Sequence, residues 1–231
     1  MKKNVVIAII IFLIGLSGGF SSHIFWPHIG GSSAEQGPVY LSETKQVYIQ
    51  ENVALTGAIE RVEKTVVAVK TQLPTGGFLQ GSGLIITSDG LMVTLAELVP
   101  SGSSFNFFVE GERLSYQVLK RDLNENLALV KFSKSGLVTA GFARLDKIKL
   151  GERVFLLGAS FKDDVPSEFA NEGVIRELGE DIIQTSITES SLVSGSPLFN
   201  IEGEILGINT VDSAGRVNAI PVSKIRDFVG M

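Results

Sequence analysis

The sequence predicts an all-β domain, a barrel or a sandwich, behind an apolar N-terminal segment. Short runs rich in β-forming residues recur between glycine, aspartate and asparagine turns, at 83–87, 91–94, 105–109, 115–119, 127–131, 154–157 and 181–184. Many short strands at close intervals are typical of such folds. The chain has 231 residues, which is enough for one substantial core.

The N-terminal segment has the features of a membrane anchor. Lys2 and Lys3 precede an uncharged run that ends at Trp26, long enough for a bilayer helix with its lysines on the cytoplasmic side. A cleaved signal peptide is the alternative, although the sequence contains no Ala-x-Ala cleavage site. We expect a retained signal anchor over residues 1–28, so that the remainder is extracytoplasmic and the protein crosses the cell membrane once.

A polar linker and a helix come next. Residues 29–49 are mostly rich in glycine, serine, glutamate and glutamine, as expected of a tether, and the domain is predicted to occupy 50–231. Apolar residues at helical spacing predict a helix within 51–64, and the β-branched run 65–70 predicts the first strand. Ser223 is the expected N-cap of a final helix that ends at Val229.

Composition excludes several functions. The chain has no cysteine, so disulfides and thiol catalysis are ruled out, and its net charge of −5 argues against nucleic acid as a partner. The only histidines, His23 and His28, lie beside the apolar segment without a nearby carboxylate. No metal and no cofactor is therefore predicted.

One loop carries the candidate chemistry. Residues 184–198 (QTSITESSLVSGSPL) are followed by the glycine-rich β run 203–210 (GEILGINT). This stretch resembles the nucleophile loop of trypsin-like serine proteases, most closely the HtrA/Deg family. On the family pattern Ser194 falls on the nucleophile, while Leu192 and Ser196 replace glycines.

The resemblance extends over roughly residues 50–229. Residues 81–90 (GSGLIITSDG) and 218–221 (NAIP) are similar to further HtrA strings. The family implies a trypsin-like fold of two six-stranded antiparallel β-barrels with a cleft between them. The chain ends where a PDZ domain often begins in that family.

The same alignment predicts a degenerate catalytic triad. Glu97 falls on the histidine and Asn126 on the aspartate, so the base and its orienting carboxylate are both replaced. A carboxylate is a poor base for a serine hydroxyl, which makes a Ser194–Glu97 dyad an unfavourable arrangement. Glu125 adjoins the aspartate position, but the chain offers no histidine there for it to orient.

The oxyanion and substrate positions follow from the same resemblance. Leu192, Val193 and Ser194 form the expected oxyanion loop, and Leu192 occupies the place of a glycine whose backbone conformation is strained for other residues. The strand that follows is expected to wall the substrate pocket with Leu206, Gly207 and Ile208.

These observations predict a membrane-anchored, extracytoplasmic HtrA-like pseudoprotease that binds extended peptides or unfolded protein segments. Two alternatives stay open. The first is an active serine endopeptidase that uses Ser194. The second is an oligomeric envelope scaffold, because HtrA-like domains commonly trimerise near their N-termini, and a homotrimer or an active paralogue would then be the partner.

Overall fold

The computed structural model describes residues 53–231. The predicted anchor at 1–28, the linker at 29–49 and both histidines lie outside the described residues. Within 53–231, no helix is both long enough and apolar enough to cross a membrane.

The first half of the described chain forms one seven-stranded antiparallel sheet. Its strands are β1 (Val66–Gln72), β2 (Phe78–Ile85), β3 (Leu91–Leu95), β4 (Ser104–Val109), β5 (Glu112–Leu114), β6 (Tyr116–Asp122) and β7 (Leu127–Phe132). They lie in the order β5-β4-β1-β2-β3-β7-β6. The N-terminal unit therefore has the antiparallel all-β character that was predicted.

The strand count of this unit corrects the prediction of a closed six-stranded barrel. Strands β5 and β6 lie at opposite ends of the sheet, yet only Ser115 separates them in the chain. β5 pairs with β4 and β6 pairs with β7, so one interrupted stretch of chain supplies both ends of the sheet. The Ser115 carbonyl accepts a hydrogen bond from the Ser133 N–H at 3.0 Å, which fixes the break. The result is a curled half-barrel.

The second half forms the predicted six-stranded barrel, and this one is closed. Its strands are β8 (Arg153–Lys162), β9 (Val165–Leu178), β10 (Ile183–Thr188), β11 (Pro197–Asn200), β12 (Ile205–Val211) and β13 (Arg216–Pro221). They follow the order β10-β13-β12-β11-β8-β9, with β9 paired to β10. Closure leaves strand β12 hydrogen-bonded on both sides, to β11 and to β13.

The two units share one core. A hydrophobic cluster runs from the first sheet, with Phe107 and Phe132 fully buried, to Phe155 and Phe199 of the second barrel. The rings of Phe155 and Phe199 stack with centroids 5.3 Å apart. A second cluster, which includes Leu156 and Leu206, fills the closed barrel. The half-barrel and the closed barrel are therefore joined by a continuous hydrophobic core at their junction.

Helices flank this core at both ends of the described chain. Positions 53–62 are helical and bury Ala58 and Val62, in agreement with the predicted amphipathic helix. The last helix spans Val222–Val229 and ends at Gly230, whose positive φ closes the final turn. Its N-cap is Pro221 without a side-chain cap, so the assignment of Ser223 as N-cap is wrong by two residues.

Candidate active site

The nucleophile loop joins strand β10 to strand β11. A single 3₁₀ turn, Ser191–Val193, precedes Ser194, which has an extended backbone with φ −54° and ψ 131°. Gly195 follows with φ +80°. Ser194 lies at the surface of the junction but is only 5% exposed. The loop therefore exposes Ser190, Ser191 and Leu192 but buries Val193 and Ser194.

Backbone hydrogen bonds attach this loop to both halves of the domain. The Gly195 N–H donates to the Asn209 carbonyl at 2.8 Å, and the Ser82 N–H on strand β2 donates to the Ser194 carbonyl at 2.9 Å. A Cβ on Gly195 would stand 2.2 Å from the Ser82 carbonyl oxygen. Only glycine fits this position, both for space and for its positive φ.

The amide that an oxyanion site would need is already occupied. The Ser194 N–H donates to the Ser191 carbonyl at 3.1 Å, and the Val193 N–H donates to the Ser190 carbonyl at 3.3 Å. Leu192 is absent from the described residues with positive φ, as expected of a residue within a 3₁₀ turn. Two backbone donors of the loop, the Val193 and Ser194 N–H groups, are therefore used within the turn instead of being presented to a ligand.

Glu97 and Asn126 lie next to each other. Asn126 adopts φ +52°, and its side-chain oxygen accepts the Glu97 N–H at 3.1 Å while its carbonyl accepts the Ala96 N–H at 3.0 Å. These bonds fix the 3₁₀ turn Ala96–Leu98 beside strand β3. Asn126 thus acts on the backbone of this turn, and the Glu97 side chain stays exposed.

Glu97 and Ser194 line one groove between the two halves of the domain. The groove has a volume of about 410 Å³ and is lined by Phe78, Leu79, Gln80, Glu97, Leu98, Ser191, Leu192 and Ser194. Among the described residues, no hydrogen bond joins the Glu97 carboxylate to the Ser194 hydroxyl, and that hydroxyl has no other partner. The structure brings the two residues to the same groove but not into a working pair.

The groove beside Ser194 is not lined by the predicted substrate wall of Leu206, Gly207 and Ile208. Leu206 and Ile208 are fully buried, and Gly207 lies between strands β11 and β13, where a Cβ would approach the Ile220 carbonyl oxygen to 2.2 Å. Strand β12 is an interior strand of a closed barrel, so these three residues have neither an open edge nor an exposed side chain. Gly207 and Ile208 pair with strand β11, which directly follows the nucleophile loop.

Sequence reasoning missed the opposite wall of the groove. Strand β2 begins at Phe78, which is 57% exposed, and continues through Leu79 and Gln80. The signal in the sequence is weak but present, because an apolar pair directly follows the turn at 74–77 and leads into the Gly81-Ser82-Gly83 string. That turn places the start of the strand at the mouth of the groove.

A scan against protein-family models matches residues 81–208 to the trypsin-like peptidase domain. That match covers more than half of the chain. This chain belongs to the trypsin-like peptidase family.

The relatives that it matches are named as DegP-like and HTRA serine proteases. It is 32% identical over 166 residues, 65% of this chain, to the "Probable periplasmic serine endoprotease DegP-like" of Rhizobium meliloti. It is 32% identical over 64% of its length to "Serine protease HTRA1" of Xenopus laevis, and 29% identical over 76% to "Serine protease HTRA4" of Homo sapiens. The alignments cover 32%, 35% and 40% of those relatives, so the chain spans about a third of their length.

The HtrA-type loop of this chain carries one substitution that the structure explains locally. Ser196 stands where the family pattern has glycine, and its hydroxyl oxygen accepts a hydrogen bond from the Asn209 side-chain nitrogen at 2.9 Å. Both residues are fully buried, and within the described residues the Asn209 side-chain oxygen has no partner. The Asn209 N–H also donates to the Ser196 carbonyl at 2.7 Å. These bonds attach the residue before strand β11 to strand β12.

The described residues contain no group of three or more acidic or histidine side chains that could hold a metal ion. The charged clusters near the site are ion pairs instead. Lys224 of the last helix bridges Glu125 and Asp181, at 2.8 Å each, and these contacts raise the pKa of its ammonium group. Glu125 is therefore engaged in tying the helix to the turn before strand β7.

Proposed function

We propose that this HtrA-type domain is a pseudoprotease, a peptide-binding module that holds extended or unfolded segments in the groove beside Ser194 without cleaving them. The observation that carries the proposal is the internal hydrogen bond from the Ser194 N–H to the Ser191 carbonyl, in a groove whose lining residues include no histidine.

Peptide hydrolysis by serine needs a base that takes the hydroxyl proton and donors that stabilise the oxyanion. The Glu97 carboxylate makes no hydrogen bond to Ser194, and Asn126 uses its side-chain oxygen to accept a backbone N–H. The site therefore lacks a base that is hydrogen-bonded to Ser194, and the Ser194 N–H is not directed at an oxyanion. Such losses remove most of the catalytic rate, commonly about 10⁴-fold or more.

Binding does not need these groups, because strand β2 offers a free edge in the groove. The Ser82 N–H points away from strand β1, toward Ser194. Backbone direction alternates along a strand, so the N–H and carbonyl of Gln80 point to the same side. Pairing with strand β3 begins only at Leu84, which leaves Gln80 open to an added strand.

The affinity of such a site should be modest. A short extended peptide loses conformational freedom on binding, and few backbone bonds offset that loss. We expect dissociation constants near the micromolar range, or about −8 kcal/mol.

The location of this activity is part of the proposal. A relative named as periplasmic supports an extracytoplasmic domain, and the uncharged run up to Trp26 supports a single-pass membrane anchor. Full-length protein should remain in the membrane fraction after a high-salt wash. Recovery of a soluble form that begins near His23 or later would establish a cleaved signal peptide instead.

The binding test uses the full-length chain in mild detergent and a fluorescent, unstructured apolar peptide. Leu192→Asp puts a charge on the groove and should weaken binding at least about tenfold. Ile201→Asp is the matched control, since Ile201 is 38% exposed, Leu192 is 39% exposed, and Ile201 does not line the groove. The proposal fails if the peptide does not bind saturably, or if both variants weaken binding equally.

An active endopeptidase is the second candidate, because the printed names of the relatives describe serine proteases. Casein digestion separates the two functions. We expect wild type and Ser194→Ala to be equally inactive. Digestion that only the wild type performs would establish the endopeptidase.

A further inference from the structure

Glu97 is an exposed carboxylate that lacks a cation. Its backbone N–H is held by Asn126, but in the described part of the chain its side chain makes no ion pair and no hydrogen bond. By contrast, the carboxylate of Glu125, the residue before Asn126, forms an ion pair with Lys224 at 2.8 Å. Glu97 therefore presents a full negative charge to the groove.

No positive charge in the groove wall offsets it. Glu97 is the only ionisable side chain among the eight residues that line the groove. The ammonium group of Lys70 lies 4.9 Å from the centre of the Phe78 ring, but it is committed to an ion pair with Asp164. The groove thus favours a cation from its ligand.

Apolar side chains supply the other half of the recognition surface. Phe78 is 57% exposed and Leu192 is 39% exposed, although both are large and apolar. Their position in the groove gives an apolar ligand side chain a surface to cover, which removes apolar area from water on both partners.

We propose that the groove selects extended peptides in which an apolar residue is adjacent or close to a lysine or arginine. The apolar side chain packs against Phe78 and Leu192, and the cation pairs with Glu97. This inference rests on the peptide-binding function proposed above. It gives Glu97 a positive role as a specificity residue at the position where the family pattern has its histidine.

The experiment uses three fluorescent ten-residue peptides in a glycine, serine and threonine background. Each has one phenylalanine, followed two residues later by lysine, glutamine or glutamate. An exposed ion pair is worth up to about fivefold in affinity, so the lysine peptide should bind about threefold tighter than the glutamine peptide and about tenfold tighter than the glutamate peptide. Both ratios should shrink in 1 M salt.

Two substitutions assign the preference to one residue. In Glu97→Gln the three peptides should bind alike, and in Glu97→Lys the order should reverse. Glu60→Gln is the control, because Glu60 is an exposed glutamate outside the groove, and it should keep the wild-type order.

The outcomes separate this inference from the function on which it rests. If the peptides bind with equal affinity, or if Glu97→Gln keeps the preference for lysine, the selection by Glu97 is overturned while peptide binding stands. If none of the three peptides binds the wild-type protein, the peptide-binding function fails and the selection fails with it.

Discussion

Rebuilding the triad side chains should not restore proteolysis by itself. The double substitution Glu97→His with Asn126→Asp supplies an imidazole and a carboxylate at two positions that already touch, since the Asn126 side-chain oxygen lies 3.1 Å from the Glu97 nitrogen. The Ser194 N–H would still donate to the Ser191 carbonyl. The oxyanion would then lack the Ser194 donor even when the base is present.

The remaining barrier to catalysis in the double variant is the free energy needed to open the nucleophile loop. Opening it breaks a hydrogen bond, at about 0.5–1.5 kcal/mol, and forces Leu192 toward a glycine-like conformation, at about 1–3 kcal/mol. A total near 2–4 kcal/mol leaves the open loop populated about one part in thirty to one part in a thousand. Adding Leu192→Gly removes the strain and should raise the rate about fivefold to 150-fold.

Casein digestion by the double and triple variants measures this gain. Leu150→Gly, added to the same double variant, is the matched control, because Leu150 is exposed and does not line the groove. The reasoning is refuted if the double variant is already as active as the triple variant. It is also refuted if Leu150→Gly produces the same gain as Leu192→Gly.

Three further predictions concern stability and use denaturant or thermal unfolding. Gly195→Ala should lower the free energy of unfolding by about 2–4 kcal/mol. The control Gly111→Ala has a similar φ of +78° but no atom within 4 Å of the added Cβ, and it should lower that free energy by about 1 kcal/mol. Equal losses would contradict the steric argument. Gly207→Ala should lower it by about 3 kcal/mol, because its Cβ would meet the Ile220 carbonyl oxygen, and a neutral effect would count against the interior position of strand β12. Hydrogen bonds from Arg216 hold the pKa of Asp212 below its ordinary 3.8, so Asp212 contributes stability above that pH that is lost as the pH falls. Asp212→Asn should therefore flatten the decline of the melting temperature between pH 4 and pH 2. An unchanged slope would refute the assignment of this pH dependence to Asp212.

Period and turn residues were enough to predict an all-β domain and to locate most strands, because the informative residues act locally. The two barrels were an expectation from the family resemblance, and the first of them is a seven-stranded half-barrel. The alternation of β-forming runs with glycine and aspartate turns located most strands, and the loop 184–198 located Ser194 between two of them. Strand β9 escaped because its first half, from Val165 to Asn171, is polar and contains a proline. Its strand conformation comes from pairing with β8 through a two-residue turn at Asp163 and Asp164, a partner that no local pattern reveals.

The parts of the site that sequence reasoning missed depend on which edges of a sheet are paired. Leu206 and Ile208 follow the nucleophile loop closely in the chain, yet closure of the barrel buries both. Gln80 is distant in sequence, but its strand passes the loop with an open edge. The direction of the Ser194 amide is likewise a property of the folded turn, since the side chains alone fix no hydrogen-bond partner for it.

The central claim is that Ser194 is not a nucleophile in this protein, and labelling with a fluorophosphonate probe tests it most directly. Intact-mass measurement of the full-length chain after prolonged exposure should find no adduct, because the serine hydroxyl has no hydrogen-bonded base among the described residues and the Ser194 N–H already donates to the Ser191 carbonyl. Stoichiometric labelling that disappears in Ser194→Ala would contradict the account.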